Sequence, residues 1–434
     1  MEEVHILLRN KNVEHMIDAS VSMKMGGYDG LRNALSMDGA KVIETLKESG
    51  LRGRGGAGFP TWLKTKFAYD APGDSKVVVC NADEGEPGTN KDRVLLSSDP
   101  HSIFEGMAIV GKAIGADRGY IYLRAEYSYL FPLLATALKS ARNLNVLGNN
   151  ILGSDFSFDI EVRSGAGAYV CGEETALFES IEGKRGEPRT RPPFPGTYGL
   201  FGLPTVLNNV ETLANIGPIF SNGIEWFRSI GSENSPGTKL FTVIGNVEKR
   251  GVFEFPMGVN LKDIIYEVCG GIAGGKELLA VQTGGSSGAI INPGQIDISL
   301  DIDHVASSGG RLGCGTIFVI DDTNCVLDIV KNTLEFFTNE SCGKCIPCRE
   351  GGVQLLKLIT KISQGKGYVR DIDTMIDLSI TMRETALCGL GHSTAIPVMT
   401  SISNFREIYD KHLDKDYCPK CSPKEETPER GLND

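Results

Sequence analysis

The chain has 434 residues, of which 41% are hydrophobic and 23% are charged, and its formal net charge is −11. Roughly two to four globular domains fit this length, and the negative charge disfavours the non-specific nucleic-acid binding that relies on basic residues. Eleven cysteines, an odd number in a long chain, argue against a disulfide framework and for a reducing cytoplasm. We expect neither a signal peptide nor direct membrane insertion, because no apolar run is long enough to cross a bilayer.

The predicted elements indicate an α/β multi-domain fold. Residues 1–60 are expected to be helical and to end in a glycine-rich loop. In residues 61–231, short apolar strands such as 76–80 alternate with helical stretches such as 102–114. This alternation is typical of an α/β domain, in which ligands bind beyond the carboxyl ends of the strands.

The pattern changes after residue 231. Residues 232–237 read Ser-Glu-Asn-Ser-Pro-Gly, a composition that predicts a linker. The region 232–325 also contains a predicted hairpin (239–243 with 252–255) and a strand at 316–320, so we expect a compact, β-rich domain there.

Helical periodicity begins after residue 325. Apolar residues recur on one face of the predicted helices, which indicates a four-helix bundle over 326–417. The polar and charged residues of 418–434 are predicted to form a disordered tail.

The cysteines in this helical region have the spacing of cluster ligands. Cys342, Cys345 and Cys348 are separated by two residues each, and Cys388 follows forty residues later. Four such thiolates suit a 4Fe–4S cluster and hence one-electron chemistry. A structural zinc site is the alternative, although zinc more often uses two separated cysteine pairs. The pair in Cys418-Pro419-Lys420-Cys421 has no partner pair, so we interpret it as redox-idle or an adventitious metal site.

A glycine-rich loop at 53–58 fits the pattern G-x-G-x-x-G. Glycines at these positions let backbone amides approach a phosphate closely. The residues before the loop look helical, whereas the dinucleotide fingerprint requires a strand, so this is not an ordinary Rossmann first turn. A phosphate-binding nest and a tight structural turn both remain open.

Polar groups follow the predicted strands and helix starts. Asp83, Glu84 and Glu86 come directly after the strand at 76–80, where they suit hydrogen bonds from sugar hydroxyls; an exposed acidic turn is the alternative. A second glycine-rich loop contains Tyr169 and leads to two glutamates, which a helix N-terminus also favours on its own. A stiff basic segment at 185–195 suits an anionic ligand.

These motifs occur in one order along the chain. The glycine loop, the acidic segment, the residues 169–174, the residues 208–212 and the cysteine motif together resemble the NADH-binding flavoprotein subunit of respiratory complex I, NADH:quinone oxidoreductase. The resemblance covers about residues 20–415 and is specific because several unusual motifs recur in order.

The resemblance implies a Rossmann-like FMN/NADH domain, a ubiquitin-like (soluble ligand-binding β-grasp) domain and a bundle with the 4Fe–4S cluster. A hydride would pass from NADH to FMN, and single electrons then to the cluster and onward toward quinone, with no catalytic side chain in the strict sense. It implies these flavin contacts: Gly53, Gly55, Asn81, Asp83, Glu84, Tyr169, Gly172, Glu173, Asn208, Asn209 and Thr212. Arg54, Gly56 and Gly58 are expected to be further cofactor contacts. The implied NADH contacts are Phe59, Lys64, Phe67, Glu86, Glu174 and Phe194, with the phenylalanines flanking the adenine. The cluster ligands that the resemblance implies are Cys342, Cys345, Cys348 and Cys388.

The resemblance also implies partners. A thioredoxin-like 2Fe–2S subunit and a larger iron–sulfur subunit would carry electrons onward, which predicts a cytoplasmic protein associated peripherally with the inner membrane. The alternative is the diaphorase subunit of a soluble NAD-linked formate dehydrogenase or hydrogenase. We expect complex I because neither end has the length for the extra domains common in such diaphorases. A non-catalytic iron–sulfur scaffold is a third reading.

Overall fold

The computed structural model describes residues 3–307 and 309–413 together with Cys418, Lys420 and Cys421. Its first sheet is parallel and has four strands in the order β3-β2-β1-β4. These strands are β1 (Val77–Ala82), β2 (Arg118–Leu123), β3 (Asp159–Ser164) and β4 (Thr205–Asn209). The central strand β1 is apolar and almost wholly buried, as expected for a parallel strand covered on both faces. The strand predicted at 76–80 is therefore confirmed.

Helices precede the sheet and connect its strands. They are α1 (Ala19–Lys24), α2 (Asp29–Leu35), α3 (Gly39–Ser49), α4 (Thr61–Asp70), α5 (Lys91–Ser98), α6 (Pro100–Ile114), α7 (Phe131–Asn143), α8 (Glu174–Ile181), α9 (Val210–Ala214), α10 (Ile216–Asn222) and α11 (Ile224–Arg228). The helix predicted at 102–114 is α6. The side chain of Asp99 caps its start, Pro100 occupies the first turn, and Gly115 ends it with φ of +75°.

The N-terminal residues belong to the same core as the parallel sheet. Leu7, Leu31 and Leu46 are buried in that core. The carboxylate of Glu254 accepts hydrogen bonds from the backbone N–H groups of Ile6, Leu7 and Leu8, at 2.9–3.0 Å. The first residues are thereby tied to a strand nearly 250 positions away in the chain.

A second, mixed sheet follows. Its strands are β7 (Thr238–Gly245), β8 (Gly251–Pro256), β9 (Leu278–Thr283), β10 (Ile290–Ile291) and β11 (Thr316–Asp321), in the order β10-β9-β11-β7-β8. The predicted hairpin is confirmed as the antiparallel pair β7–β8, in which Phe241 lies opposite Phe253. The strand predicted at 316–320 is β11, which pairs in parallel with β7. The short helices α12 (Leu261–Asp263) and α13 (Ile302–Ser307) complete the region.

The predicted linker at 232–237 is wrong. These residues form a small antiparallel ribbon from β5 (Gly231–Ser232) and β6 (Ser235–Pro236), and Ser235 is fully buried. The guanidinium of Arg54 donates to the backbone oxygen of Pro236 at 2.6 Å. The segment therefore has regular structure and a buried part, although its composition is that of a turn.

The last described region is helical. It comprises α14 (Val326–Glu340), α15 (Ile346–Ser363), α16 (Val369–Thr385), α17 (Gly389–Asn404) and α18 (Arg406–Leu413). The apolar face predicted for the first of these is buried, with Val330 and Leu334 fully inaccessible. The tail predicted at 418–434 lies outside the described residues, apart from Cys418, Lys420 and Cys421. No helix in the described part of the chain has the length and apolar composition that a membrane crossing requires.

Candidate functional site

The glycine loop lies between α3 and α4, so a helix precedes it, as the sequence predicts. The N–H of Gly53 donates to the backbone oxygen of Phe59 at 2.9 Å, which closes the loop. The N–H of Arg54 donates to Oγ1 of Thr212 at 2.8 Å, which fixes the loop to α9. A Cβ at Gly55 would come within 2.8 Å of the Cβ of Asn209, so the close approach requires glycine there.

The carboxyl ends of β1 and β4 bring the polar candidates together. These strands are parallel neighbours, with Asn81 opposite Asn209. The side-chain amide of Asn81 donates to the backbone oxygen of Gly172 at 2.9 Å, and its oxygen accepts from the N–H of Asp83 at 3.0 Å. The acidic turn, the second glycine-rich loop and the asparagines therefore meet at one edge of the sheet, where ligands of α/β proteins bind.

A cleft with two lobes opens at this edge. The lobes measure about 630 and 1040 Å³, and both are lined by the glycine loop, Asn81, Gly172, Glu173 and Asn209. The smaller lobe adds Arg54, Asp83, Glu84, Glu86 and Tyr169. The larger lobe adds Phe59, Lys64, Phe67, Glu174, Phe194, Asn208 and Thr212. Every residue predicted to contact a nucleotide cofactor thus lines one or both lobes.

Several polar atoms in this cleft have no hydrogen-bond partner among the described residues. Oδ2 of Asp83 and Nδ2 of Asn208 are buried without a hydrogen bond, as are Nε and one terminal nitrogen of Arg54. Burial raises the pKa of Asp83 to about 7. Unpaired buried polar groups are costly, so these atoms fit a ligand rich in donors and acceptors. At Gly56 a Cβ would meet nothing within 4 Å, which leaves open space beside the loop.

The larger lobe has aromatic walls and a charged edge. The rings of Phe59, Phe67 and Phe194 are 39%, 48% and 56% exposed, which is unusual for phenylalanine and suits stacking on a planar ring. Nζ of Lys64 lies 3.4 Å from the carboxylate of Glu174. Arg191, from the basic segment 185–195, pairs with that same carboxylate at 2.7 Å.

The acidic residues 83–86 do not form the exposed turn that the sequence left open as an alternative. Glu84 accepts from the backbone N–H groups of Asp92 and Arg93 and from the hydroxyl of Tyr127, at 2.8–3.1 Å. Burial, reinforced by the charge of Asp92, raises the pKa of Glu84 to about 7. Its carboxylate therefore binds the backbone at the start of α5 and also lines the cleft.

Glu86 is held in the smaller lobe, apart from the exposed phenylalanines. Its carboxylate accepts from the hydroxyl of Tyr169 at 2.9 Å and from the backbone N–H of Ser286. Ser286 belongs to the turn after β9, so Glu86 joins the two sheets at the cleft. Burial raises the pKa of this carboxyl.

Sequence reasoning missed a group of buried charges beneath the cleft. Nζ of Lys91 lies 2.6 Å from Asp92 and 3.0 Å from Glu211, and Nζ of Lys239 lies 2.6 Å from Glu211. All four side chains are buried. Lys91, Asp92 and Lys239 line the smaller lobe. The only signal in the sequence is the pair Lys91-Asp92 after the acidic turn, because the partners come from distant elements.

The four predicted cluster cysteines line one small cavity at helix ends. Cys345 and Cys388 are the N-caps of α15 and α17, Cys348 lies in the first turn of α15, and Cys342 follows α14. Two helix N-termini thus face the site, which favours negatively charged thiolates. Among the described residues, the one group of three or more potential metal-ligand atoms that all lie within 4.8 Å of one another is around Cys325. The four cluster cysteines are not grouped this closely. The four thiols therefore suit separate irons of a cluster better than a single zinc ion.

The cysteine cavity adjoins the cleft. Val170 and Leu390 line both that cavity and the smaller lobe. Gly389, directly after Cys388, lines both lobes of the cleft. The backbone N–H of Tyr169 donates to the carboxylate of Glu340 at 2.8 Å, which fixes the second glycine-rich loop to the helix before the cysteine motif.

Comparisons with known proteins agree with both sites. The family profile described as Nuo51 FMN-binding domain matches residues 46–218, and that described as NADH-ubiquinone oxidoreductase-F iron-sulfur binding region matches residues 328–412. The NADH-quinone oxidoreductase F subunit 2 of Rhizobium meliloti (strain 1021) is 43% identical over 415 residues, which is 95% of this chain and 99% of the relative. The chain belongs to the F-subunit family of NADH-quinone oxidoreductases. This F-type protein is an oxidoreductase component with FMN and a 4Fe–4S cluster, and NADH is the substrate consistent with its family.

Relatives of the F-type protein also occur in hydrogenases. NADP-reducing hydrogenase subunit HndC of Solidesulfovibrio fructosivorans is 46% identical over 403 residues, 93% of this chain and 82% of the relative. The air-oxidised structure of an NAD+-reducing NiFe-hydrogenase matches with a TM-score of 0.82 and 38% identity, over 96% of this chain and 68% of that chain. Its H2-reduced counterpart matches with a TM-score of 0.80 and 40% identity, over 89% and 64%. The chain thus spans about two thirds of the length of these solved hydrogenase chains.

Proposed function

We propose that this F-type protein is the electron-input unit of a larger complex, oxidising NADH at the cleft and passing electrons to the cysteine site. The observation that carries the proposal is the common wall of Val170 and Leu390 between the smaller lobe and the cluster cavity. Two cofactors on either side of so thin a wall are well placed for electron transfer. The mixed α/β fold with its parallel sheet supports the nucleotide-binding half of this function.

FMN is proposed to bind along the glycine loop where the two lobes meet, because its proposed contacts line both lobes. The unpaired amide of Asn208 and the unpaired carboxyl oxygen of Asp83 offer a donor and an acceptor for its polar groups. The glycine loop and the start of α9 allow a close approach of backbone to ligand. The residues proposed to hold it are Gly53, Arg54, Gly55, Gly56, Gly58, Asn81, Asp83, Glu84, Tyr169, Gly172, Glu173, Asn208, Asn209 and Thr212.

NADH is proposed to enter through the larger lobe. The exposed rings of Phe59, Phe67 and Phe194 suit stacking on the adenine. Lys64 and Glu174 supply charge and hydrogen bonds beside them. Glu86 is also proposed as a contact, at the part of NADH nearest the flavin, since it lies in the smaller lobe.

FMN, when bound, accepts a hydride from a nicotinamide and releases electrons singly. The chain's own residues bind and orient both cofactors. The Tyr169–Glu340 hydrogen bond holds the loop beside the cleft against α14, the helix that precedes the cysteine motif. No side chain is assigned a proton transfer, because a hydride passing directly between two cofactors requires none.

The domain division is part of the same proposal. Residues 61–231 would form the Rossmann-like FMN/NADH domain, residues 232–325 the ubiquitin-like β-grasp domain, and residues 326–417 the helical bundle with the cluster. The four-stranded parallel sheet, the five-stranded mixed sheet and helices α14 to α17 support these three units.

Two settings are proposed for the complex. The first is complex I, where a thioredoxin-like 2Fe–2S subunit and a larger iron–sulfur subunit would carry electrons toward quinone; the Rhizobium relative of nearly the same length supports it. The second is the diaphorase part of an NAD(P)-linked hydrogenase, supported by the 46% identity to HndC. Anaerobic purification of the native complex, followed by mass spectrometry of its partners, distinguishes them: membrane subunits indicate the first, and hydrogenase subunits the second.

The electron-input function is tested on the anaerobically purified protein. NADH should bleach the flavin absorbance and also produce the electron paramagnetic resonance signal of a reduced 4Fe–4S cluster. The Cys388→Ala variant should lose the cluster signal but retain FMN and NADH:ferricyanide activity, because ferricyanide can take electrons at the flavin. A cluster that NADH leaves oxidised, or a protein without FMN, would refute the proposal.

A further inference from the structure

A second group of metal-type ligands lies outside the cleft and the cluster cavity. The ligand atoms of Cys325, His412, Cys418 and Cys421 all lie within 4.8 Å of one another. Cys325 and His412 are each 4% exposed, and the other two are half-buried. The pair Cys418 and Cys421, read from the sequence as lacking partners, therefore has them. Tertiary packing contributes these neighbours, Cys325 and His412, which no spacing in the sequence indicates.

We propose that these four residues form a structural zinc site that fastens the end of the described chain to the helical region. Three thiolates and one imidazole are a common closed ligand set for structural Zn²⁺. The site holds no vacant position for a substrate, so its role is to stabilise the fold.

The distances agree with a tetrahedral ion. With Zn–S of about 2.3 Å and Zn–N of about 2.0 Å, neighbouring ligand atoms should be roughly 3.5–3.8 Å apart. Nε2 of His412 lies 3.8 Å from Sγ of Cys325 and 3.4 Å from Sγ of Cys421. These two separations match those of a tetrahedral site, and all four ligand atoms lie within 4.8 Å of one another.

The imidazole is oriented for this role. Nδ1 of His412 lies 2.7 Å from the backbone oxygen of Ile408. A carbonyl oxygen only accepts, so Nδ1 carries the proton and the lone pair of Nε2 faces the sulfurs. A second ring nitrogen held by a carbonyl is the usual support of a zinc-ligating histidine.

An iron–sulfur cluster fits this group less well. Each thiolate of a cubane binds a different iron, so four such ligands are spread wider than 4.8 Å. The site also lies at the start of α14, whereas the cluster motif follows its end. The fifteen residues of that helix separate the two sites by about 22 Å at 1.5 Å per residue.

The consequence is a clasp between distant parts of the chain. Cys325 is the N-cap of α14, and His412 lies in α18, the last described helix. Nζ of Lys420 also donates to the backbone oxygen of Asp322, so Lys420 is held beside the turn before α14. An ion here joins both ends of the helical region and the residues that follow.

Metal analysis of the anaerobically purified full-length protein tests the proposal. We expect about one zinc per chain in addition to the iron of the cluster. The Cys421→Ala variant should lower the zinc content about tenfold or more while iron, FMN and NADH:ferricyanide activity persist. Cys269→Ala is the matched control, because Cys269 is a buried cysteine in the core of the second sheet, and it should keep the zinc.

Two further measurements on the wild-type protein test the proposal even if the Cys421→Ala variant does not fold. Wild-type protein produced with Co²⁺ in place of Zn²⁺ should show the ligand-field and thiolate charge-transfer bands of tetrahedral cobalt with cysteine ligands. Mass spectrometry under non-reducing conditions should find no disulfide bond at any of the three cysteines of the site. Wild-type protein without zinc, iron at this site, or a disulfide between any two of these cysteines would each overturn the proposal.

Discussion

Asp83 is a cleft carboxyl whose charge should change near neutral pH. Burial raises its pKa to about 7, and one of its oxygens has no hydrogen-bond partner in the described part of the chain. The ionised form accepts hydrogen bonds from ligand hydroxyls, so FMN affinity for the apoprotein should rise as pH rises through this pKa. Between about pH 6 and pH 8 the ionised fraction, and with it the affinity, should increase by up to about tenfold.

The Asp83→Asn variant isolates this group. The amide of the variant does not titrate. The pH dependence of the variant's dissociation constant for FMN, measured by quenching of flavin fluorescence, should therefore lack the contribution of this carboxyl. Titration of the FMN phosphate contributes equally to both proteins and cancels in the comparison. An identical pH slope in wild type and variant would contradict the role of Asp83.

Phe194 tests the aromatic wall of the larger lobe. Its ring is 56% exposed and lines the lobe proposed for NADH. Stacking on a base is worth about 1–3 kcal/mol, so Phe194→Ala should raise the KM for NADH by about 5- to 150-fold with FMN content unchanged. Steady-state NADH:ferricyanide kinetics measure this effect. Tyr129→Ala is the control, since that ring is also exposed but lies outside both lobes; equal KM changes in the two variants would rule out stacking.

At the scale of elements, the glycine loop has its shape set by contact with the end of β4. A Cβ at position 55 would lie 2.8 Å from the Cβ of Asn209, closer than side chains pack. Gly55→Ala should therefore displace the loop and lower the FMN content of the purified protein severalfold. Gly251→Ala is the matched control, because its Cβ would meet ordinary contact distances of 3.5 Å or more. Full FMN occupancy in Gly55→Ala would show that the loop does not hold the flavin.

The helical elements determine where the proposed cluster ligands lie. Cys345 and Cys388 precede α15 and α17, so the dipoles of two long helices point at the thiolates. The spacing of Cys342, Cys345 and Cys348 predicts the ligands without structural information. The helix starts that orient them depend on the whole packed region.

At the scale of the whole molecule, buried charges join the two sheets. Glu211, after β4, pairs with Lys239 of β7 and with Lys91 of α5. Removing one member leaves a charge without compensation, which costs about 3–5 kcal/mol in a buried site. Lys239→Met should therefore lower the thermal unfolding midpoint markedly.

A double variant separates charge from packing. Lys239→Met combined with Glu211→Gln restores neutrality with Lys91 and Asp92, so it should recover part of the lost stability. Lys66→Met is the matched control, because Lys66 pairs with Asp70 on the surface and should change the midpoint little. Scanning calorimetry of the holoprotein measures all three; a double variant no more stable than Lys239→Met alone would contradict an ionic group.

Much of this protein was predictable from local sequence. The cysteine spacing, the apolar run of β1, the β7–β8 hairpin and the amphipathic face of α14 each depend on residues close together in the chain, where backbone preference and periodicity act directly. The ordered motifs were also enough to indicate the family, because each combines glycines and polar residues in a pattern that packing alone does not require.

Tertiary structure alone decided the rest. Ser232 to Pro236 have the composition of a linker, yet they form a ribbon in which Ser235 and Pro236 are buried and Arg54 donates to the backbone of Pro236. The pairing of Lys91 with Glu211 and the meeting of Cys325 with His412 join residues separated by about 90 to 120 positions. Sequence patterns encode which conformation a segment prefers, whereas such contacts arise only when whole elements pack, since no local signal specifies a distant partner.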